Sequence, residues 1–230
     1  MTHPTALPDG NNKTPHDKDY LRRLLAERNQ APANAARIDA AIEQAFVRNV
    51  AILVLDMCGF SRITQSHGII HFLAMIHQME QAARPAIRGN GGEVIKQEAD
   101  NLFAVFATPE QALEAAQDTL RALAAMNTVL PPERILNVSA GIGFGPTLVI
   151  AHQDLFGPEM NCACKLGEDI ASANEILLTA AAYAALPTGR YVCENAHHQI
   201  SGMDLPAHRF GHCLFERPLN PLGAGTMSPP

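Results

Sequence analysis

The feature that most constrains the fold is an uninterrupted apolar run in "VAILVLDMCGFSRI", residues 50–63. A continuous run of Val, Ile and Leu predicts a central strand buried on both faces, and the glycine soon after it predicts a turn. We therefore expect a strand over residues 50–55 that places Asp56 at the mouth of a sheet. Asp56 taken alone leaves two interpretations open, a cap for the following segment or a metal ligand.

Length and charge allow one core and argue against several classes of partner. The chain has 230 residues, 47% of them hydrophobic and 17% charged, which is enough for one substantial core. The formal charge of −6 argues against a nucleic-acid surface and a polybasic membrane patch. No apolar stretch approaches the ~20 residues that span a bilayer, and the polar start is no signal peptide. We expect a soluble, cytoplasmic protein.

The cysteines and histidines give no sign of a structural metal or a disulfide framework. The five cysteines are odd in number and contain no CxxC spacing; they are Cys58, Cys162, Cys164, Cys193 and Cys213. His197 and His198 are adjacent, so in a strand they would point to opposite faces.

The chain begins and ends with segments that look unlike its centre. Residues 1–17 are rich in Pro, Asn, Asp and Thr and are expected to be disordered, and residues 218–230 look like a flexible tail. Between them, residues 18–48 predict a lead segment of two amphipathic helices separated by Pro32. Their apolar residues are Leu21, Leu24 and Leu25 in one helix and Ile38, Ile42, Ala45 and Phe46 in the other. This segment could pack on a regulatory partner or on its own domain.

The remaining elements alternate between helices and strands. Apolar spacing predicts a helix around residues 69–79, and a second helix opens at Thr108 with Pro109 and Gln111 in capping positions. A hairpin turns at residues 99–101. In residues 137–150 large and small side chains alternate, which predicts a strand with one packed face and one close-approach face. Further predicted elements are a short helix near 161–173, a strand at "EILLT" and a strand pair within 190–216.

This order of elements predicts an α+β fold, a ferredoxin-like split βαβ sheet with helices on one face. If the crossover from the first strand into residues 93–98 is right-handed and parallel, both strands end at the same edge. That edge then carries Asp56 and Asp100 together.

Two converging carboxylates repel each other unless a cation lies between them. Mg²⁺ and Mn²⁺ prefer oxygen ligands, and two ions ~3.5–4 Å apart can assist phosphoryl chemistry. The turn of Met57, Cys58, Gly59 and Phe60 leads into a helix, so its backbone amides could face a triphosphate. Asp100 taken by itself is more commonly an ordinary hairpin-turn residue, and it is the pair with Asp56 that favours a metal site.

Several motifs in the same order resemble the class III nucleotidyl cyclases across roughly residues 48–217. "LDMCGFSRIT" resembles the family's first metal-aspartate strand, and "GGEVIKQEADNLFAVF" resembles its lysine-bearing hairpin with the second metal aspartate. "GIGFGP" resembles the Gly-Pro strand end, and "DLFGPEMNCACKLGEDIASANEILLT" the base-reading loop, helix and next strand. The resemblance implies a catalytic domain over residues 49–217.

The resemblance implies a role for each matching residue. Asp56 and Asp100 would bind two metal ions, Mg²⁺ or Mn²⁺, with the Met57 carbonyl assisting, and Lys96 with Asp154 would read adenine. An ammonium can donate to a ring acceptor of adenine while a carboxylate accepts from its exocyclic amine, which favours ATP. Taken singly, Lys96 could also be a solvated strand lysine and Asp154 a turn former.

Two positions depart from the family pattern. Asn161 matches the residue that orients the ribose, but Lys165 stands where the family usually has an arginine that stabilises the transition state. Lys keeps the charge and loses the planar fork of Arg. The terminal hairpin also lacks the usual lysine near the terminal phosphate, and Arg209 or His208 are the candidate substitutes.

In this family each site takes its metal aspartates and its base-reading residues from different chains, so the resemblance implies a head-to-tail homodimer. The implied activity is adenylate cyclase, a phosphorus–oxygen lyase that makes 3′,5′-cyclic AMP for signal transduction. A catalytically weak nucleotide-binding or regulatory module is the alternative, and a guanylate cyclase is a lesser one.

Overall fold

The computed structural model describes residues 16–200 and 203–214. The expected disorder of residues 1–17 and the expected tail 218–230 lie outside these residues, apart from residues 16 and 17. The helices are α1 Lys18–Gln30, α2 Ala35–Phe46, α3 Phe60–His67, α4 Ile69–Gly89, α5 Pro109–Asn127, α6 Pro158–Cys164 and α7 Ala180–Ala184, with a π-helical segment Lys165–Ile170 directly after α6. None of the helices in this part of the chain is long and apolar enough to cross a membrane.

The strands form one mixed sheet of eight strands in the described part of the chain. They are β1 Val47–Met57, β2 Glu93–Glu98, β3 Asn101–Phe106, β4 Val138–Ile150, β5 Asp154–Phe156, β6 Ile176–Thr179, β7 Tyr191–Ile200 and β8 Met203–Cys213. Their spatial order is β2-β3-β1-β4-β6-β8-β7, with β5 paired to β4. This mixed helix-and-sheet architecture agrees with the predicted α+β class.

Strand β1 is central, as its apolar run predicts, and it is longer than the predicted 50–55. It pairs antiparallel with β3 on one side and with β4 on the other. Strand β2 does not pair with β1, because β3 lies between them. Two antiparallel steps still make β1 and β2 parallel, so both strands end at the same edge of the sheet.

The sheet is covered on both faces, whereas the sequence predicted helices on one face only. Ala51, Leu53 and Leu55 of β1 pack in one core cluster with residues of α4 and α5. The alternate residues Val50, Ile52 and Val54 pack in a second cluster that includes Met160 and Ala163 of α6. Residues 50–55 of β1 are therefore buried on both faces of the sheet, which is why apolar and polar residues do not alternate along this part of the strand.

The glycines of β4 explain why α6 can lie so close to the sheet. A Cβ atom at Gly141 would lie 2.0 Å from the carbonyl oxygen of Ala163, and one at Gly143 would lie 2.6 Å from the carbonyl oxygen of Glu159. The predicted close-approach face of this strand is therefore confirmed, and the structure adds that α6 is the element that approaches it.

The lead helices pack on the domain itself. Helix α1 begins after Asp17, whose carboxylate accepts a hydrogen bond from the Tyr20 amide at 2.8 Å. The buried side chains of α1 and α2 meet the end of β4 in one cluster, formed by Leu21, Ile38, Ile42, Phe46 and Ile150. The two predicted helices are thus present, and they contact the strand that leads into β5.

Short elements are where the sequence interpretation was least accurate. Helix α6 begins three residues before the predicted position, and β5 and α7 were not predicted at all. The capping box of α5 is present as predicted, with Thr108 and Gln111 satisfying each other's backbone amides. The domain boundaries proposed at residues 48 and 217 stay predictions.

Candidate active site

The two strand-tip aspartates lie at the same edge of the sheet. Asp56 is the penultimate residue of β1, and Asp100 is in the β2–β3 turn, next to the residue that pairs with Asp56. Burial raises the pKa of Asp56 to about 7, and the negative charges of Asp100, Glu168 and Asp169 add to the effect. A carboxyl group in this environment needs a cation to remain fully ionised at neutral pH.

An unpaired oxygen lies beside this carboxyl group. Asn101 is the antiparallel partner of Asp56, so the two side chains share a face of the sheet. The side-chain oxygen of Asn101 is buried and has no hydrogen-bond partner. A buried acceptor without a donor is costly, and carboxylate and amide oxygens are the ligands that Mg²⁺ and Mn²⁺ prefer. These residues fit a hard divalent cation.

The protein supplies only part of a coordination shell. No group of three or more His, Cys, Asp or Glu side chains within residues 16–200 and 203–214 is placed to hold a metal ion. An ion between Asp56 and Asp100 would therefore take most of its ligands from water and substrate, as Mg²⁺ commonly does. The side chain of Met57 is buried in the α4–α5 core, which leaves its carbonyl as the group that can assist.

The turn after β1 has one amide already engaged. The Cys58 amide donates to the Asn137 carbonyl at 2.9 Å, so this donor is already used within the protein. Gly59 has a left-handed backbone with φ 94°, and α3 begins at Phe60. The first-turn amides of α3 have no intrahelical acceptor. They are the better candidates for phosphate contact.

Lys96 and Asp154 form an ion pair, although they come from different strands. The Lys96 ammonium lies 2.9 Å from Asp154 Oδ1 and 2.9 Å from Glu98 Oε1. The side chain of Lys96 is only 15% exposed and that of Asp154 only 12%. Lys96 is therefore not a solvated strand lysine, and Asp154 is not simply a turn former, the two alternatives that the sequence left open. Sequence and resemblance placed these two residues together, and the structure brings them into contact.

The ion pair keeps both groups charged. Burial acts to raise the pKa of Asp154, but hydrogen bonds from Lys18 and Lys96 outweigh it and lower the pKa. Burial acts to lower the pKa of Lys96, but hydrogen bonds to Glu98 and Asp154 outweigh it and raise the pKa. The pair therefore offers a fixed cation and a fixed anion side by side.

Asn161 and Lys165 line one pocket of about 540 Å³. They are four residues apart, Asn161 in the middle of α6 and Lys165 at the first position of the π-helical segment, so they share a helix face. The other lining residues are Pro158, Cys162, Cys164, Glu168, Asp169, Asp204 and Leu205. Lys165 is the one cation among these lining residues, and Asp56 and Asp100 are not among them.

The terminal hairpin does not present the residues that the sequence suggested. Arg209 pairs with Glu175 and lies 3.9 Å from Glu194, and His208 stacks on Tyr183 with ring centroids 3.8 Å apart. The hairpin contributes Asp204 and Leu205 to the pocket instead. Both candidate substitutes for the family lysine are thus engaged elsewhere in this structure.

Sequence reasoning missed three polar residues near the strand tips. Asn101 was read only as part of a turn, and its register opposite Asp56 would have identified it. Glu168 and Asp169 follow Lys165 in "KLGED", and their effect on Asp56 arises because the π-helical segment packs over β1. Only a sheet with a helix on this second face brings them close.

Comparison with known proteins gives one family match that covers most of the chain. The model of the adenylate and guanylate cyclase catalytic domain matches residues 42–205. A Rhizobium meliloti (strain 1021) protein named "Putative adenylate cyclase 3" is 23% identical over 185 residues, which are 80% of this chain and 31% of that protein. The chain thus spans about a third of the length of this relative.

Solved structures share the fold at low sequence identity. The adenylate/guanylate cyclase/hydrolase of Silicibacter pomeroyi is 22% identical, with a TM-score of 0.58 over 71% of this chain and 95% of that chain. The guanylate cyclase domain of RhGC from Catenaria anguillulae, in complex with GTP, is 14% identical, with a TM-score of 0.62 over 73% and 98% of the two chains. Both support the architecture described above.

Proposed function

The chain belongs to the family of adenylate and guanylate cyclase catalytic domains, and on this premise we propose that it is an adenylate cyclase. The proposed reaction converts ATP to 3′,5′-cyclic AMP and pyrophosphate at the interface of a homodimer. The observation that carries the choice of base is the buried ion pair between Lys96 and Asp154.

The ion pair matches the hydrogen-bonding edge of adenine. Adenine presents a ring acceptor beside an exocyclic amine, so Lys96 can donate to the ring nitrogen and Asp154 can accept from the amine. Guanine presents a carbonyl and a ring N–H at the same edge. Guanine would place an acceptor against Asp154 and a donor against Lys96, leaving buried polar groups unpaired. A site of this polarity favours ATP.

Divalent ions fit the strand-tip aspartates of the proposed enzyme. Domains of this family generally use divalent metal ions, and Asp56 and Asp100 with the Asn101 oxygen are the donors that would hold them. When bound, such ions make the ribose hydroxyl more acidic and neutralise charge on the phosphates. Without them, burial and the neighbouring carboxylates raise the pKa of Asp56 to about 7, so its carboxyl group is only partly ionised near neutral pH.

A second copy of the chain would complete each site. The pocket that contains Asn161 and Lys165 is not lined by Asp56 or Asp100 of the same chain. In the proposed head-to-tail dimer, the aspartates of one protomer face the pocket of its partner. The ribose O3′ forms a bond to the α-phosphorus, the bond from that phosphorus to the pyrophosphate oxygen breaks, and the O3′ proton passes to solvent. Asn161 orients the ribose, and Lys165 stabilises charge on the phosphate.

A weak or inactive nucleotide-binding module is the second candidate, and the lining of the pocket favours it. Lys165 replaces an arginine, and the residues around it include the acidic Glu168, Asp169 and Asp204. Loss of one preorganised donor costs about 10²–10³ in rate. Slow but measurable formation of cyclic nucleotide would be consistent with the lysine at position 165 and with the acidic residues around it.

The test is direct. Purified protein is incubated with ATP or GTP and Mn²⁺, and cyclic nucleotide and pyrophosphate are quantified. We expect cyclic AMP and pyrophosphate in equal amounts, with ATP preferred over GTP. Equal or greater formation of cyclic GMP would contradict the adenylate assignment, and binding of ATP without product would favour the second candidate.

A further inference from the structure

Asp154 is also contacted by a charged residue from outside the family match. We propose that Lys18, from lead helix α1, is a positioning residue of the base-reading group and sharpens the preference for ATP. This inference rests on the proposed nucleotide site. The family match begins at residue 42, so Lys18 lies outside it.

The contact joins two distant parts of the chain. The Lys18 ammonium lies 2.8 Å from Asp154 Oδ2, across a separation of 136 residues. The backbone amide of Lys18 also donates to the side-chain oxygen of Gln153 at 3.1 Å. Through its first residue, helix α1 therefore binds Gln153 in the β4–β5 turn and Asp154, the first residue of β5.

The two carboxylate oxygens of Asp154 differ in how many hydrogen bonds they already accept. Oδ1 accepts from the Lys96 ammonium at 2.9 Å and from the Leu155 amide at 3.0 Å. A carboxylate oxygen accepts about two hydrogen bonds, so Oδ1 is fully used. Oδ2 accepts from Lys18 and keeps one site. The exocyclic amine of adenine would use this remaining site, whose direction Lys18 helps to fix.

The position of Lys18 is itself fixed by apolar packing. Leu21 of α1 lies in the same cluster as Ile150 at the end of β4. Ile150 is the strand partner of Asp154 in the β4–β5 pairing. The buried packing of Leu21 with Ile150 in this cluster therefore holds the lead helix directly beside Asp154, the residue that its lysine binds. Movement of α1 would change both the charge beside Asp154 and the direction of its free acceptor site.

The contact affects selection more than turnover. Among the described residues, no hydrogen bond or ion pair joins Lys18 or Asp154 to Asp56, Asp100 or Asn161, so removing the ammonium breaks no such contact to those groups. Without Lys18, Asp154 loses one charge-assisted hydrogen bond and its carboxylate is held by Oδ1 alone. Because the Lys18 side chain is 42% exposed, solvent screens the effect and a moderate change is expected.

The experiment compares Lys18→Gln and Lys18→Arg with the wild-type protein, and uses Arg22→Gln as the matched control. Arg22 is on the same helix, is 70% exposed and pairs only loosely with Asp19. Binding of 3′-deoxy-ATP and 3′-deoxy-GTP with Mn²⁺ is measured by calorimetry on the full chain. These analogues lack the attacking hydroxyl, so binding is read without turnover.

We expect Lys18→Gln to lower the ratio of ATP-analogue to GTP-analogue affinity about two- to fivefold. Lys18→Arg, which keeps the charge and the donors, should restore most of the ratio, and Arg22→Gln should not change it. With true substrates the change should appear in KM for ATP, with kcat nearly constant. Thermal unfolding midpoints of the variants confirm that each is folded.

An unchanged affinity ratio in folded Lys18→Gln would overturn the inference, and so would failure of the wild-type protein to bind either analogue. The proposed function is judged separately, by product formation from ATP. A protein whose affinity ratio depends on Lys18 but which makes no cyclic nucleotide would retain this inference and lose the cyclase assignment.

Discussion

At the scale of single residues, the most informative group is the carboxylate of Asp154. It accepts hydrogen bonds from the ammonium groups of Lys96 and Lys18 and from a backbone amide. Burial acts to raise the pKa of Asp154, but these contacts outweigh burial and lower the pKa. One anion thus organises a strand, a turn and a lead helix. The charge of the residue at position 96 should therefore decide which base is accepted.

Lys96→Glu should reverse the polarity of the proposed base-reading pair. The substitution removes a donor 2.9 Å from Asp154 and places a second carboxylate beside it. We expect the ATP-to-GTP ratio of kcat/KM to fall about 10- to 100-fold, since a hydrogen bond to a charged group is lost. Cyclic nucleotide assays with both substrates measure it, with the exposed Arg134→Glu as control. An unaltered ratio would remove Lys96 from base reading.

Asp56→Asn should abolish product formation without unfolding the domain. The amide keeps the shape of the side chain and loses the negative charge that two-metal chemistry needs. We expect turnover to fall by at least about 10²-fold. Cyclic AMP formation and circular dichroism together check this. Retention of full activity would exclude the metal role of Asp56.

The raised pKa of Asp56 makes a separate prediction about stability in metal-free buffer. Its folded pKa of about 7 exceeds the ordinary value of 3.8, so the folded state binds the proton more tightly. Protonation of Asp56 therefore contributes to the free energy of unfolding. This contribution is complete below about pH 4 and is lost as the pH rises through 7.

Asp56→Asn lacks this titration, so its thermal unfolding midpoint should exceed that of the wild type at pH 8. After discounting for solvent screening, the difference in the free energy of unfolding is about 1 kcal/mol, which corresponds to about 2–4 °C. The difference should be smaller at pH 5. Unfolding curves with a chelator present, recorded from pH 4 to pH 8, measure the difference. A difference that does not grow with pH would argue against the raised pKa.

At the scale of elements, the contact between β4 and α6 positions Asn161 and Lys165. The alternation of large and small residues in β4 was visible in the sequence, because a strand alternates its side chains between two faces. Which element used the glycine face was not visible, since α6 is short and begins at a Gly-Pro pair that could equally have marked a turn. Strand β5 and helix α7 escaped prediction because three and five residues contain too little periodicity.

Gly141→Ala should destabilise the domain and weaken activity together. The added methyl group would lie 2.0 Å from the Ala163 carbonyl oxygen, so α6 must move away from the sheet. We expect a loss of about 1–3 kcal/mol in the free energy of unfolding. Urea titration measures it.

Gly89→Ala is the control, because a methyl group there meets nothing within 4 Å. It should be neutral or slightly stabilising, since alanine restricts the unfolded chain more than glycine does. Equal stability of the two variants would contradict the close packing of α6 on β4.

At the scale of the whole molecule, the proposed sharing of each site between two chains makes a prediction about assembly. In a head-to-tail dimer with shared sites, Asp56→Asn and Asn161→Ala each inactivate both sites when alone. Mixed together, they form heterodimers in which one site has intact residues from both chains.

The mixture should recover about a quarter of wild-type activity, because half of the randomly formed dimers are heterodimers with one working site of two. Activity as a function of mixing ratio measures this recovery, and remixing each variant with itself is the control. A mixture as inactive as its components would contradict sharing of sites between chains.

The sequence by itself determined the central strand, its aspartate, the hairpin with Asp100, the capping box of α5 and the glycine face of β4. These features depend on periodicity and on neighbours within a few residues, which the local sequence contains in full. The resemblance to the cyclase family also grouped Lys96 with Asp154 as companions in base reading.

Only the tertiary structure decided which residues from distant segments meet. It covered the second face of the sheet with α6, engaged Arg209 with Glu175 and His208 with Tyr183, and brought Lys18 to Asp154. Such contacts depend on how whole elements pack. Many distant pairs of opposite charge exist in a chain, and burial of apolar faces against one another selects the few that are brought within hydrogen-bonding distance.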